Sequence, residues 1–220
     1  MTDTRLIERW LPIAALGVEA LRERTPMTPF PAPNRLHVWW ARRPLVAARA
    51  AVLASLLPAD ADRQKFMHAL GIHGDPIAAR KRIALADRKG ERLGKDAYGY
   101  PRAFGWSLDS EDRAWIGAHG LDEALTLLDS AAGGGAIPFE AARLGMTVIA
   151  NDLNPVAALI EKCTIEYPLL YGTKIKPIFD ALALEFTTKV RARMKGVYPE
   201  EPHLDMRPDG YLWARTIRCP

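Results

Sequence analysis

At 220 residues, with 49% hydrophobic and 25% charged side chains, the chain has the length of one medium domain, or one domain with an appendage, and enough apolar mass for a real core. A net charge of +4 and a pI near 9.1 lean toward a polyanionic partner without requiring one. Two cysteines, Cys163 and Cys219, exclude a disulfide framework of the secreted kind, the start MTDTRLIERW lacks a signal-peptide core, and no run reaches the ~18 apolar residues of a membrane span; a soluble cytoplasmic protein with no membrane partner is expected.

Between residues 4 and 24, Leu6, Ile7, Trp10, Leu11, Ala14, Ala15, Val18 and Leu21 recur with a helical period, and Pro12 kinks or restarts that helix. TPMTPFPAPN, with prolines from Pro26 to Pro33, reads as an extended surface arm. In RLHVWWARRPLVAARAAVLASLLPAD a helix is predicted from Pro44 to Pro58, its apolar run interrupted by Arg49. Residues 60 to 120 change character. ARKRIALADRKGERLGK is basic and broken by glycines, and YGYPRAFGW interleaves aromatics with Arg102, so a mostly helical insertion on the surface of a larger fold is expected.

From residue 124 the order becomes strand (ALTLLD), glycine turn, helix (IPFEAARLG, ending at Gly145) and strand (MTVIAND), both strands reading as buried. That is a β-α-β unit, whose parallel strands imply an α/β sheet covered by helices. Pro155 opens a further helix, IKPIFDALALEFTTKVRARMKG is a long amphipathic one, and the tail turns polar; there is no internal repeat. The expected organisation is a helical segment over 1–58, a basic helical insertion over 59–122 and the start of a nucleotide-type domain over 123–220.

The loop LDSAAGGGAIPFE carries the chemistry. Gly133, Gly134 and Gly135 stand at the carboxyl end of the first strand, where open α/β sheets bind ligands and where a missing Cβ permits close backbone approach. Asp152 closes the second strand, positioned to accept hydrogen bonds from ribose hydroxyls. The bland alternative is a glycine turn with a capping or solvated Asp152. A Walker lysine is excluded, because Ile137-Pro138 stands where GK[ST] would fall, and so is GxGxxG, because Phe139 and Glu140 occupy the region of the third glycine.

What remains resembles the first cofactor motif of S-adenosylmethionine-dependent methyltransferases: Asp129, Gly133, Gly135, Pro138, Glu140 and Ala141 match, while Ser130 and Ala131 depart from the usual Pro-Phe. NDLNPVA resembles the acidic second motif of the same enzymes. LHVWWARRPLVAARAAVLASLLP, the amino-terminal RLIERWLPIAALGVEALRER, GDPIAARKRIALADRKG and YGYPRAF resemble the DUF1156-containing proteins, adenine-specific DNA methylases that often carry a zinc ribbon and are frequently encoded in anti-phage defence loci. The resemblance implies a partial Rossmann-like class I methyltransferase fold and S-adenosyl-L-methionine as cofactor. It implies a cofactor site of Asp129, Ala131, Gly133, Gly134, Gly135, Asp152 and Asn154, with Arg42 or Arg43 pairing with the cofactor's carboxylate and Trp39 and Trp40 as a wall. Against that stands a core tryptophan pair beside two surface arginines; His37 is given no catalytic role. DNA is the implied partner, with Arg80, Lys81, Arg82, Arg88, Lys89, Arg92 and Lys95 as phosphate contacts and Tyr98, Tyr100 and Trp106 as stacking surfaces, or else as one solvated helix face.

Aminomethylases acting on adenine present a [DNS]-P-P-[YFW] motif that holds the target amino group of a flipped base, and these 220 residues contain no Pro-Pro pair, so no catalytic residue is assigned. In the family that motif follows the acidic strand, and YLWARTIRCP resembles the lead into the zinc ribbon. Its first ligand would be Cys219, but one cysteine holds no zinc, and no metal site is assigned. Three readings stay open: the amino-terminal part of a longer DNA or RNA methyltransferase, a cofactor-binding partner subunit, or a nucleic-acid-binding module that keeps the loop only for structure.

Overall fold

Prolines set the boundaries of the first helices. A short helix α1 (Leu6–Arg9) ends at Trp10, and α2 (Ile13–Arg24) restarts with Pro12 as its N-cap, as the sequence predicts. The chain is described here by a computed structural model that covers residues 4–25, 30–94, 97–120, 125–197 and 214–216. Residues 26–29 of the expected proline arm therefore lie outside the described residues, and its end is not extended. It turns once, as α3 (Ala32–Leu36), with Pro33 in the first turn, where its missing N–H leaves no bond unmade.

Helix α4 (Leu45–Leu56) is the axis of the first compact unit, Met1–Gly172. It is apolar on nearly all sides, and such a helix is stable only when covered all round. α1 and α2 pack against it, and backbone bonds from Leu6 N–H to the Leu57 carbonyl (2.9 Å) and from Ala59 N–H to the Thr4 carbonyl (3.1 Å) pin the amino terminus to its far end. α5 (Arg63–Ala69), α6 (Pro76–Arg88) and α7 (Ser110–Ala118) follow, each started by an aspartate that accepts first-turn N–H groups: Asp62, Asp75 and Asp109.

The reading of 60–120 as a surface insertion is corrected. Phe66, Ala69, Leu70, Ile72, Ala103, Trp115 and Ile116 join Leu6, Val46, Leu53 and Leu57 in one core, continuous across residues 58 and 122. The polar composition belongs to the outer face of α6, while the apolar residues of α5 and α7 turn inward.

The β-α-β unit forms as predicted. β1 (Thr126–Asp129) runs parallel to β2 (Thr147–Ala150), with Thr126 opposite Thr147 and Asp129 opposite Ala150, and α8 (Ala136–Arg143) crosses between them and packs on α4. These are the two strands found among the described residues, in an otherwise mostly helical unit. The expectation of strands buried on both faces is corrected: Leu127 and Val148 lie against the core, while Leu128 (68% exposed) and Ile149 (54%) face outward.

After β2, α9 (Pro155–Glu161) widens into a π-helical turn over Lys162–Glu166 and tightens again as α10 (Tyr167–Tyr171). Pro168, in the first turn of α10, has no N–H to return to the carbonyl four residues back, which accounts for the wide turn. In the second unit, Thr173–Pro220, α11 (Ile175–Met194) carries exposed apolar residues at Ile178, Phe179, Leu182 and Phe186, with i,i+4 pairs Lys176–Asp180 and Glu185–Lys189 beside them. Among the described residues no helix is long and apolar enough to cross a membrane.

Candidate functional site at the glycine loop

The strand ladder carries the loop outward. Beyond the last strand pair, Asn151 N–H bonds the Asp129 carbonyl (2.9 Å) and Ala132 N–H bonds the Asn151 carbonyl (3.0 Å), so the loop starts in fixed register with the end of β2. Asp129 accepts from the Ala131 N–H (3.2 Å). Asp152 ties both sides together: one carboxylate oxygen accepts from Gly133 N–H and the other from Asn154 N–H, each at 2.8 Å. A carboxylate offers about four acceptor positions, so Asp152 keeps lone pairs for a ligand after these bonds. Asn154 has a structural role, its side chain capping α9 by accepting from Val156 N–H (2.9 Å).

The three glycines are required by what packs on them. A Cβ on Gly133 (φ +58°) would stand 2.9 Å from Trp39 Nε1, and one on Gly134 2.8 Å from Trp39 Cβ, both closer than real contacts allow. On Gly135 (φ +74°) it would meet Glu161 Cγ and Ile165 Cδ1, each at 3.2 Å. Trp39 thus lies on the loop, buried against Ala157 and Ile160 of α9, and stacks on the exposed Trp40 with ring centres 4.3 Å apart. His37 is exposed and lies at the edge of this packing, its ring tilted against Trp39 with centres 6.5 Å apart.

The two arginines of WWARRP part company. Arg42 pairs with the buried Glu23 of α2, whose carboxylate also accepts from Leu45 N–H (2.9 Å) and Val46 N–H (3.3 Å). Glu23 thereby caps α4, whose own N-cap, Pro44, has no polar side chain. Burial raises its pKa against the opposing pull of those N–H bonds and Arg42. Arg43 is exposed and has no hydrogen-bond or ion-pair partner among the described residues. A cavity of about 200 Å³ is lined by Trp39, Arg42 and Arg43 on one side and by Asp129, Ala131 and the Gly133–Gly134 backbone on the other. Of the expected site residues, Gly135, Asp152 and Asn154 do not line it.

A larger cavity of about 530 Å³ runs along β2, walled by Pro138, Val148, Ala150, Ile165 and Leu169, with Glu161 among the lining residues. Glu161 is 8% exposed, and its Oε1 is buried without a hydrogen-bond partner. Burial first, then the charges of Asp152 and Asp129, push its pKa up to about 7. Sequence reasoning passed over this residue; the only signal was an acid closing an apolar helical stretch, VAALIE.

The other residues missed in sequence are buried ions. Arg49 donates through Nε to Glu140 (2.6 Å), with 2% and 0% of the side chains exposed, and Arg143 donates to the other oxygen of Glu140 (2.8 Å). Glu140, a match to the methyltransferase motif, here joins α4 to α8. Glu19 of α2, also buried, accepts from Arg22 (2.5 Å), from the Tyr100 hydroxyl (2.7 Å) and from Ala103 N–H (3.2 Å).

The aromatics expected as stacking surfaces are engaged internally. Tyr98 and Tyr100 sit under the Arg22 guanidinium, and Trp106 donates to Asp112 (3.0 Å). Arg80, Lys81, Arg88, Lys89 and Arg92 are exposed, Arg82 donates to the Ala97 carbonyl (3.2 Å), and Lys95 lies outside the described residues. Cys163 is a half-buried free thiol in the π-helical turn, and Cys219 lies outside the described residues.

No curated protein and no solved structure matches the chain. Residues 10–74, from Trp10 through the WWARRP string to Gly74, match the family model described as a protein of unknown function, DUF1156.

Proposed function

We propose that the chain is the cofactor-binding portion of an S-adenosylmethionine-dependent DNA adenine-N6 methyltransferase of a phage-defence system, working with the remainder of a longer chain or with a partner subunit. One observation carries the reading: a cavity in which the WWARRP segment and the glycine loop, far apart in sequence, face each other. Its lining carries charges of both signs, as an amino acid does. Arg43 offers an unengaged guanidinium to a carboxylate, Asp129 offers a carboxylate to an ammonium, and Asp152 keeps lone pairs for ribose hydroxyls. At about 200 Å³ the cavity suits the methionine end of the cofactor, with the rest lying outside it.

When bound, the cofactor supplies an electrophilic methyl group. The chain's own residues orient it, and the group that would align a target amine is not among these 220 residues, so the chain alone binds and does not transfer. Titration calorimetry with S-adenosylmethionine and S-adenosylhomocysteine tests this. Binding should weaken by about 2–3 kcal/mol in Asp152→Ala, the loss expected for a doubly bonded carboxylate. Arg43→Ala should weaken it by a similar amount, and absence of binding to the wild-type chain would overturn the reading.

A second reading rests on Trp39, which fills the glycine surfaces itself. In it the loop is a packing device and the chain a nucleic-acid-binding module. Wild-type binding of DNA with no cofactor binding would select it.

A further inference from the structure

Away from the glycine loop, α5 and α7 bring together an imidazole and two carboxylates. One ligand atom each from His68, Asp109 and Asp112 lie within 4.8 Å of one another. His68 Nδ1 is 2.9 Å from Asp112 Oδ1. The other oxygen of Asp112 is held by Trp106 Nε1–H (3.0 Å) and Asp109 N–H (3.2 Å), which aim Oδ1 at the histidine. Asp109 uses one oxygen to cap α7, accepting from Asp112 N–H (2.8 Å).

We propose that His68, Asp109 and Asp112 bind a divalent transition-metal ion of the zinc class. Three features support this independently. In a tetrahedral site with metal–ligand bonds of about 2.0–2.2 Å, ligand atoms stand roughly 3.3–3.6 Å apart, so atoms already within 4.8 Å reach an ion by small side-chain adjustments, the 2.9 Å His68–Asp112 pair opening slightly to admit it. The donor held by Trp106 and the Asp109 backbone has the outer hydrogen bonding that fixes a metal-ligating carboxylate. Beside the cluster opens a cavity of about 280 Å³, lined by His68 and Asp112 with Asp62 and Glu111 against a single lysine, Lys65; it has room for water as a fourth ligand and a net negative wall. One imidazole with two carboxylates suits zinc, cobalt, nickel or manganese better than the all-oxygen preference of calcium or magnesium. His73 stacks face-on against His68, with ring centres 4.5 Å apart, which supports the imidazole plane without adding a ligand. The site owes nothing to the cofactor reading.

The test is titration of the chelator-treated 220-residue chain with ZnCl2 by calorimetry, alongside thermal melting. Uptake of one ion with a raised Tm is expected, lost or weakened at least about tenfold in His68→Gln and in Asp109→Asn. Asp109→Asn keeps a capping oxygen, so it serves if His68→Gln fails to fold. His119→Gln, at the other end of α7, should leave affinity unchanged. Absence of uptake, or equal affinity in wild type, His68→Gln and Asp109→Asn, would overturn the proposal; equal affinity would place the ion on other groups, the cysteines among them.

Discussion

The helical body and the two-strand corner of the first unit use polar and apolar residues in opposite ways. Around α4 the buried side chains include Glu19, Glu23, Arg49 and Glu140, and each has its charges and hydrogen bonds met, Glu140 by two arginines at once. At the corner, Leu128 and Ile149 stand in solvent while the one deeply placed acid, Glu161, keeps an oxygen without a partner. In the body every one of these buried charges is paired. The corner holds its unmet surfaces beside the glycine loop, and α8 is the bridge, its Ala141 in the core and its Glu140 gripped by Arg49.

If that division is right, the largest effects belong to the body. Leu53→Ala, at 1% exposure, should destabilise the fold by about 2–5 kcal/mol. Glu140→Ala, which leaves Arg49 and Arg143 without their counter-charge, should cost about 3–5 kcal/mol. Urea denaturation measures both; a loss under ~1 kcal/mol for Glu140→Ala would show that the ion cluster is not what joins α4 to α8.

Next comes the seam between the regions. Gly134→Ala forces a methyl to within 2.8 Å of Trp39 Cβ and should cost about 1–3 kcal/mol. Because the clash is with one side chain, combining it with Trp39→Ala should be non-additive by about 1 kcal/mol or more. Additive losses would mean that Trp39 does not lie on the loop.

Within the corner the expected effect depends on pH. The folded chain holds the Glu161 proton up to about pH 7, whereas the unfolded one releases it near 4.5. The native state therefore binds more protons between those values, and stability falls as pH rises through that window and is level above it. Glu161 should contribute about 1–3 kcal/mol to this decline, so the fall should be smaller by that amount in Glu161→Gln, as read from urea midpoints at pH 5 and pH 8; Glu23, whose pKa burial also raises, keeps its own share. An unchanged slope in Glu161→Gln would assign the whole decline to other groups. The smallest effect is Leu128→Ala, expected within about 0.5 kcal/mol of wild type because the side chain leaves little buried contact behind. A larger loss would show that the outer face is covered in solution.

What the sequence settled by itself is what local chemistry settles. Pro12, Pro44 and Pro58 fixed helix limits because a proline removes an N–H wherever it stands, and Gly145 ended α8 because its φ of +91° suits a residue without Cβ. The strand, glycine loop, helix and strand order was legible from a switch in hydrophobic period, and the convergence of WWARRP on that loop was foreseen from resemblance. Tertiary structure decided the rest. Whether a tryptophan walls a ligand or lies on glycines, whether Arg42 is free or caps α4 through Glu23, and whether Arg49 breaks an apolar helix or anchors it to Glu140 all depend on a partner many residues away. A charge looks solvated in any sequence window; only packing supplies the counter-charge that makes its burial tolerable, and only packing leaves Glu161, among the described residues, without it.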